Sequence, residues 1–91
     1  MTTWKPVDTH RTLDAAVREQ LPDSAYAFAT ARKEPMTDAS HVRNAIARFD
    51  QVTDVTDAER DEAFANIKAA ASHYGIDMTE DSWHQLGKPS R

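Results

Sequence analysis

The sequence predicts an all-α domain, a compact bundle of three to four short helices that spans residues 1–91. Apolar residues recur at the three- and four-residue spacing of a helix face. Helix start and stop signals flank the segments that carry this spacing. The chain has only two glycines, which disfavours a β-rich fold with many tight turns. Residues 1–8 and 88–91 are expected to be flexible ends of this single domain.

The first predicted helix ends at the Leu21–Pro22 pair, because the residue before a proline is pushed out of the α region. Thr9 and Thr12 are its candidate N-caps, since a threonine hydroxyl can accept a hydrogen bond from the first turn. Its apolar face consists of Leu13, Ala16, Val17 and Leu21.

Residues 25–36 form the least regular part of the chain. Tyr26 and Phe28 alternate with alanines, and this spacing fits a short extended segment as well as a helical turn. Pro35 ends whichever structure forms. The sequence leaves the helix, strand and loop interpretations of this segment open.

The second predicted helix begins at Thr37 or Asp38, because both are residue types that favour the N-cap position. Its apolar residues follow at the spacing of a single helix face. The predicted core face consists of Val42, Ala45, Ile46 and Phe49.

The third predicted helix has the strongest signals at both ends. Thr56 and Glu59 form a capping-box pattern, in which each side chain bonds the backbone N–H of the other residue. Gly75 followed by Ile76 is typical of a Schellman stop, with Ile76 folding back on the last turn. The predicted buried stripe consists of Ala63, Phe64, Ile67, Ala70, Ala71 and Tyr74.

A short fourth helix is expected from Thr79 or Glu80 to Leu86, closed by Gly87, with Trp83 and Leu86 facing inward. The side chains of all four helices are expected to meet in one core. The predicted core consists of Leu13, Val17, Leu21, Val42, Ile46, Phe49, Phe64, Ile67, Tyr74, Ile76 and Trp83.

The composition restricts the class of protein. There is no cysteine, which excludes disulfides and thiolate chemistry. The first residues lack the apolar stretch of a signal peptide, and no run approaches the roughly 20 apolar residues of a membrane span. We therefore expect a cytoplasmic protein with no membrane partner.

The residues that carry chemistry do not form a recognisable catalytic or metal site. The four histidines are not at the spacing of a helical zinc site. The acidic run that starts at Asp50 has Val52 and Val55 where a calcium loop needs an oxygen ligand and a glycine. No serine lies in a nucleophile motif. The sequence therefore predicts a protein that is not an enzyme and needs no cofactor.

One group of polar residues is a candidate interaction surface. His41, Asn44 and Arg48 follow one side of the second predicted helix, and Arg43 lies on its flank. Residues 32–48 carry four basic and two acidic groups, a local charge of +2 in a chain of net charge −4. An ordinary solvated helix face, with the arginines paired to nearby carboxylates, explains the same pattern. The full candidate surface consists of Arg32, Lys33, His41, Arg43, Asn44 and Arg48.

Three stretches of the chain resemble a known family. They are LPDSAYAF at residues 21–28, DASHVRNAIARF at residues 38–49 and YGI at residues 74–76. They are similar to small domains of unknown function in phage-related and actinobacterial proteins. The resemblance implies a helical fold and a phage origin, and it implies no activity and no catalytic residue.

Two functions from different classes are compatible with these observations. The first is a non-enzymatic interaction module that binds another protein, because the chain lacks site chemistry and has a charge-rich surface on a small core. The alternative is a nucleic-acid-binding domain that uses the basic 32–48 segment. The net negative charge of the chain disfavours nucleic acid as the partner.

Overall fold

A computed structural model describes residues 2–6, 19–80 and 82–86. Within these residues the fold is mixed α and β, with a two-stranded antiparallel hairpin and two α-helices. The prediction of an all-α bundle of three to four helices is therefore wrong. The elements are strand β1 (Tyr26–Phe28), strand β2 (Lys33–Pro35), helix α1 (Ala39–Arg48) and helix α2 (Asp57–His73).

The hairpin occupies the segment that the sequence left open. Tyr26 pairs with Pro35 and Phe28 pairs with Lys33. Every residue of β1 is buried, because β1 packs against α2 while β2 packs against α1. A strand buried on both faces shows no alternation of apolar and polar residues. Periodicity therefore could not identify it.

Helix α1 begins where the sequence predicts. The Asp38 side chain accepts a hydrogen bond of 2.8 Å from the His41 backbone N–H, which identifies Asp38 as the N-cap. On the predicted core face, Val42 and Ala45 are buried and Ile46 is half-buried. Phe49, one residue past the helix, is also buried in the core.

Both predicted ends of α2 are confirmed. The Glu59 N–H donates to Thr56 Oγ1 at 3.1 Å, and the Thr56 N–H donates to Glu59 Oε1 at 2.9 Å. At the other end, the Ile76 N–H bonds the Ala71 carbonyl at 2.7 Å, and Gly75 has a φ of 73°. This is the Schellman geometry, in which a left-handed glycine ends the helix.

The predicted fourth helix is wrong within the described residues. Only Trp83–Gln85 form a helical turn, of the 3-10 type. Ile76 and Met78 both pack against the core, and their two-residue spacing belongs to extended chain rather than to a helix. Leu86 is buried, as the sequence predicts for this residue.

One main core joins the hairpin to both helices. Of the predicted core residues, five are buried: Leu21, Val42, Phe49, Phe64 and Ile67. Four others are partly buried and pack against the core: Ile46, Tyr74, Ile76 and Trp83. Leu13 and Val17 lie outside the described residues, as do both candidate caps of the first predicted helix. Large buried residues that the prediction did not include are Trp4, Tyr26, Phe28, Met36 and Val52.

The N-terminal segment crosses this core. The Lys5 N–H bonds the Ser24 carbonyl at 2.9 Å, and the Trp4 Nε1–H bonds the Met36 carbonyl at 3.2 Å. These contacts give the position of the segment and do not measure its mobility. The predicted flexibility of residues 1–8 therefore stays a prediction. Residues 88–91 lie outside the described residues. Among the residues that are described, no helix combines the length and apolar character needed to cross a bilayer.

Candidate interaction surface

The structure places the six candidate residues in two groups. Arg32 lies at the end of the hairpin loop and Lys33 begins β2, while the other four lie along α1. Arg43, Asn44 and Arg48 are exposed, and His41 is partly buried at the start of the helix. His41, Asn44 and Arg48 therefore lie within one helix, at the three- and four-residue spacing of one helix side. Its connection to Arg32 and Lys33 depends on how the hairpin packs against α1.

A concave surface of about 300 Å³ lies between the hairpin and the C-terminal end of α1. We call it the basic concavity. It brings together three of the six candidates and leaves out the other three, His41, Arg43 and Asn44. Its lining consists of Arg32, Lys33, Glu34, Arg48, Gln51, Val52 and Thr53.

Two of its cations are held in place by other parts of the chain. Arg32 Nη1 lies 2.6 Å from Asp23 Oδ1, and its guanidinium lies 4.8 Å from the centre of the Tyr26 ring. The hydrogen bond that Arg32 donates to the Asp23 carboxylate raises the pKa of the Arg32 guanidinium above its ordinary value. The Lys33 ammonium donates to the Thr53 carbonyl at 2.6 Å, which joins β2 to the loop after α1.

Arg48 is the third cation, and its position differs from the other two. It is the last residue of α1 and is exposed. Within residues 2–6, 19–80 and 82–86, no hydrogen bond or ion pair engages its guanidinium. A cation at a helix C-terminus is favoured by the helix dipole, which explains the residue type. The pairing with Glu34 or Asp50 expected for an ordinary solvated face is not found there.

The backbone around the basic concavity is unusual. Arg32, Glu34 and Asp54 have φ values of 54°, 58° and 63°. This left-handed region favours glycine and, among other residues, asparagine and aspartate. Each such residue costs roughly 1–3 kcal/mol, and strained residues of this kind cluster at functional sites. The first two line the basic concavity, and the third follows Thr53, which also lines it.

Glu34 is the more strained of the two residues in the lining, because Pro35 follows it. The residue before a proline is restricted to extended conformations by contact with the proline ring. Glu34, the middle residue of β2, therefore departs from local preference twice, because its φ is positive and a proline follows it. Such a departure is the kind of local conflict expected at a functional site.

His41 has a structural contact outside the basic concavity. Its ring Nδ1 lies 2.8 Å from Asp38 Oδ1, the same oxygen that caps α1. Burial alone would raise the pKa of the Asp38 carboxyl, but the hydrogen bonds from the His41 backbone and ring outweigh it. The pKa of Asp38 therefore lies below its ordinary value of 3.8.

The described residues contain no group of three histidine or carboxylate side chains placed to hold a metal ion. His41 faces the cap of α1, His73 packs edge-on against the Trp4 and Tyr74 rings, and His84 stacks on Trp83. His10 lies outside the described part of the chain.

The sequence prediction missed the buried amide of Asn66. This side chain has no exposed surface and bonds the N-terminal segment and the Ala27 carbonyl. Its position could have been found from the sequence. It lies three residues after Ala63 and four before Ala70, on the apolar stripe of α2.

The fold and this surface define a small α and β domain with a basic concavity beside a strained hairpin. The chain matches a family of unknown function (DUF6582) over residues 5–81, and it belongs to that family. The matched residues include the three stretches, at residues 21–28, 38–49 and 74–76, that resemble domains of unknown function. No curated protein and no solved structure matches the chain.

Proposed function

We propose that this domain is a non-enzymatic interaction module that binds another protein through the basic concavity and the adjoining exposed face of α1. The observation that carries the proposal is the convergence of Arg32, Lys33 and Arg48 from two elements onto one concave surface. The left-handed backbone at the same place supports it, because strained residues cluster at functional sites.

The shape and charge of this surface favour a protein partner over a nucleic acid. The concavity holds about 300 Å³, which suits one or two side chains rather than a duplex. Glu34 adds a carboxylate beside the cations, and it repels a chain of closely spaced phosphates more than a single carboxylate. The net charge of −4 opposes non-specific binding to a polyanion.

Capture from cell extract with paired variants tests the proposal. Asn44→Ala/Arg48→Ala removes two exposed side chains of the candidate surface. Lys68→Ala/Ser72→Ala is the matched control, since it removes two exposed side chains from α2. We expect a protein that the wild-type chain and the control retain and that the first variant loses. Identical sets of retained proteins for all three chains would contradict the proposal.

Nucleic-acid binding through the basic 32–48 segment is the second candidate. The exposed Arg43 and Arg48, neither in an ion pair with a described residue, favour it. Phosphate-driven affinity falls steeply with salt. An amide NMR titration with single-stranded and duplex DNA at about 50 and then about 200 mM salt should show shifts at these arginines that vanish at the higher salt. No shift at the lower salt would exclude this candidate.

Two sequence-based predictions accompany the proposal. A phage-related origin follows from the family resemblance, and a cytoplasmic location follows from the composition. Both stay predictions. Detection of this chain in the cytoplasmic fraction of its cell would support the predicted location.

A further inference from the structure

We infer that the basic concavity is a carboxylate-binding site for an acidic peptide segment of the partner, with Arg48 as the principal contact. This inference rests on the proposed function and names the chemistry of its partner. It rests on the charge of the residues that line the concavity, on how its three cations are held, and on the backbone conformation around them.

The charge of the lining differs in sign from that of the whole chain. Three cations and one carboxylate give the lining a charge of +2, whereas the chain carries −4. A negatively charged segment is therefore attracted to this place and repelled by most of the remaining surface. Such a contrast orients an acidic partner before contact.

The cations around the concavity are arranged for one incoming anion. Arg32 and Lys33 are oriented by Asp23 and the Thr53 carbonyl, so binding orders them little further. Arg48 has no partner among the described residues, and its planar guanidinium can bond both oxygens of a carboxylate. The exposed side chains of Gln51 and Thr53 provide neutral hydrogen-bonding groups at the rim.

The left-handed residues provide an independent reason to place the site here. A glycine would give the same backbone at residue 32 or 34 without strain. The chain instead has Arg32 and Glu34, two charged side chains, at these positions. The turn therefore keeps charged groups at the concavity at a cost in local conformation. For Arg32 this is expected where the side chain binds a ligand, and Glu34 limits how much negative charge the site accepts.

The small volume decides the class of anion. A concavity of about 300 Å³ takes a glutamate or aspartate side chain with its neighbours. It does not form the extended basic track that a nucleic-acid backbone needs. Glu34 further limits the number of negative charges that the site accepts, because a second anion close to its carboxylate is repelled.

Amide NMR titration of the full chain with two blocked hexapeptides tests the inference. One peptide contains three consecutive glutamates, and the other has glutamines in their place. We expect the glutamate peptide alone to shift the amides of residues 32–34, 48, 51 and 53. Arg48→Gln should weaken this binding about tenfold, the effect of losing one charge-assisted hydrogen bond.

Lys68→Gln is the matched control, because it removes the same charge from an exposed position on α2, outside the concavity and the candidate surface. It should change the affinity by less than about twofold, since an exposed charge at a distance is screened by salt. Glu34→Gln should strengthen binding, because it removes a repelling carboxylate from the lining. Equal weakening by Lys68→Gln and Arg48→Gln would overturn the inference, since non-specific attraction would then explain the binding.

Other outcomes separate this inference from the proposed function. If neither peptide shifts these amides while Arg48→Ala still abolishes capture of a protein, the inference fails and the proposed function stands. If single-stranded DNA binds more tightly than the glutamate peptide at about 200 mM salt, both fail and the nucleic-acid alternative replaces them. Binding of the glutamate and glutamine peptides with equal affinity also overturns the inference.

Discussion

Asn66 shows how one side chain can join segments that are distant in sequence. Its Oδ1 accepts the backbone N–H groups of Thr3 and Trp4 at 2.7 and 3.0 Å. Its Nδ2 donates to the Ala27 carbonyl at 2.8 Å. The N-terminal segment, β1 and α2 therefore meet at one buried amide. A buried polar group without hydrogen-bond partners is costly. The backbone groups that Asn66 bonds carry the same cost if its side chain is removed.

We expect Asn66→Ala to lower the free energy of unfolding by about 2–3 kcal/mol, because it leaves two N–H groups and the Ala27 carbonyl without this partner. Urea unfolding followed by circular dichroism measures the change. Asn44→Ala on the exposed face of α1 is the control. Both substitutions gain the helix propensity of alanine, so the control should change stability by less than about 0.7 kcal/mol. Equal effects at the two positions would contradict a structural role for the buried amide.

The N-cap of α1 links local structure to pH. Asp38 caps the helix and contacts His41, and these hydrogen bonds hold the pKa of its carboxyl below the ordinary 3.8. A carboxyl whose pKa is lower in the folded state stabilises the fold above its ordinary pKa. That contribution is lost as the pH falls through the lower pKa of the folded state. The capped helix is thus weakened by acid.

We expect Asp38→Ala to cost about 1 kcal/mol at neutral pH, the usual effect of removing an N-cap. The difference from wild type should be smaller at about pH 2 than at neutral pH, because protonation of the wild-type carboxyl increases as the pH falls below its ordinary pKa of 3.8. Urea unfolding at the two pH values measures both quantities. Asp38→Asn keeps a neutral cap and serves as the control, with a smaller dependence on pH. A cost for Asp38→Ala that is the same at both pH values would contradict the assignment.

Local signals predicted the helices and could not predict the hairpin. Asp38, Thr56 and Gly75 act within one turn of chain, so the sequence alone identifies the ends that they form. β1 has only three residues, and its pairing depends on a partner strand and on cover from α2. A short buried strand resembles a buried helical turn in its composition, which is why the fold class was predicted wrongly.

The candidate surface was predictable to a similar degree. Helical spacing correctly put His41, Asn44 and Arg48 along α1. It could not show that Arg48 joins Arg32 and Lys33 in a concavity that excludes His41 and Asn44, because the chain reversal at the hairpin produces that arrangement. A left-handed Glu34 before a proline also contradicts local preference, so no sequence rule predicts it.

At the scale of the whole molecule, the N-terminal segment contacts both the hairpin side of the core and the C-terminal end of α2. The Trp4 indole bonds the Met36 carbonyl next to β2, and its ring lies edge-on to Tyr74 at the end of α2, with 5.9 Å between centres. Trp4 is only 7 % exposed. Its side chain therefore closes the core between the hairpin and α2.

We expect Trp4→Ala to lower the free energy of unfolding by about 3–5 kcal/mol, the usual effect of removing a buried tryptophan. Trp4→Phe keeps an aromatic ring and loses the bond to the Met36 carbonyl, so its cost should be smaller, about 1–2 kcal/mol. Urea unfolding measures both values. For a domain of ordinary stability, the larger loss is a substantial fraction of about 5–15 kcal/mol.

Hydrogen exchange distinguishes a connecting role for Trp4 from a purely local one. If the segment connects the hairpin to α2, Trp4→Ala should speed amide exchange in β1, β2 and the last turn of α2 together, because these elements then open as one unit. Thr53→Ala changes an exposed loop residue and should leave these rates unchanged. Faster exchange confined to residues 2–6 would mean that the segment lies on a core that is complete without it. Faster exchange in the distant elements would mean that the core is closed only when the N-terminal segment is in place.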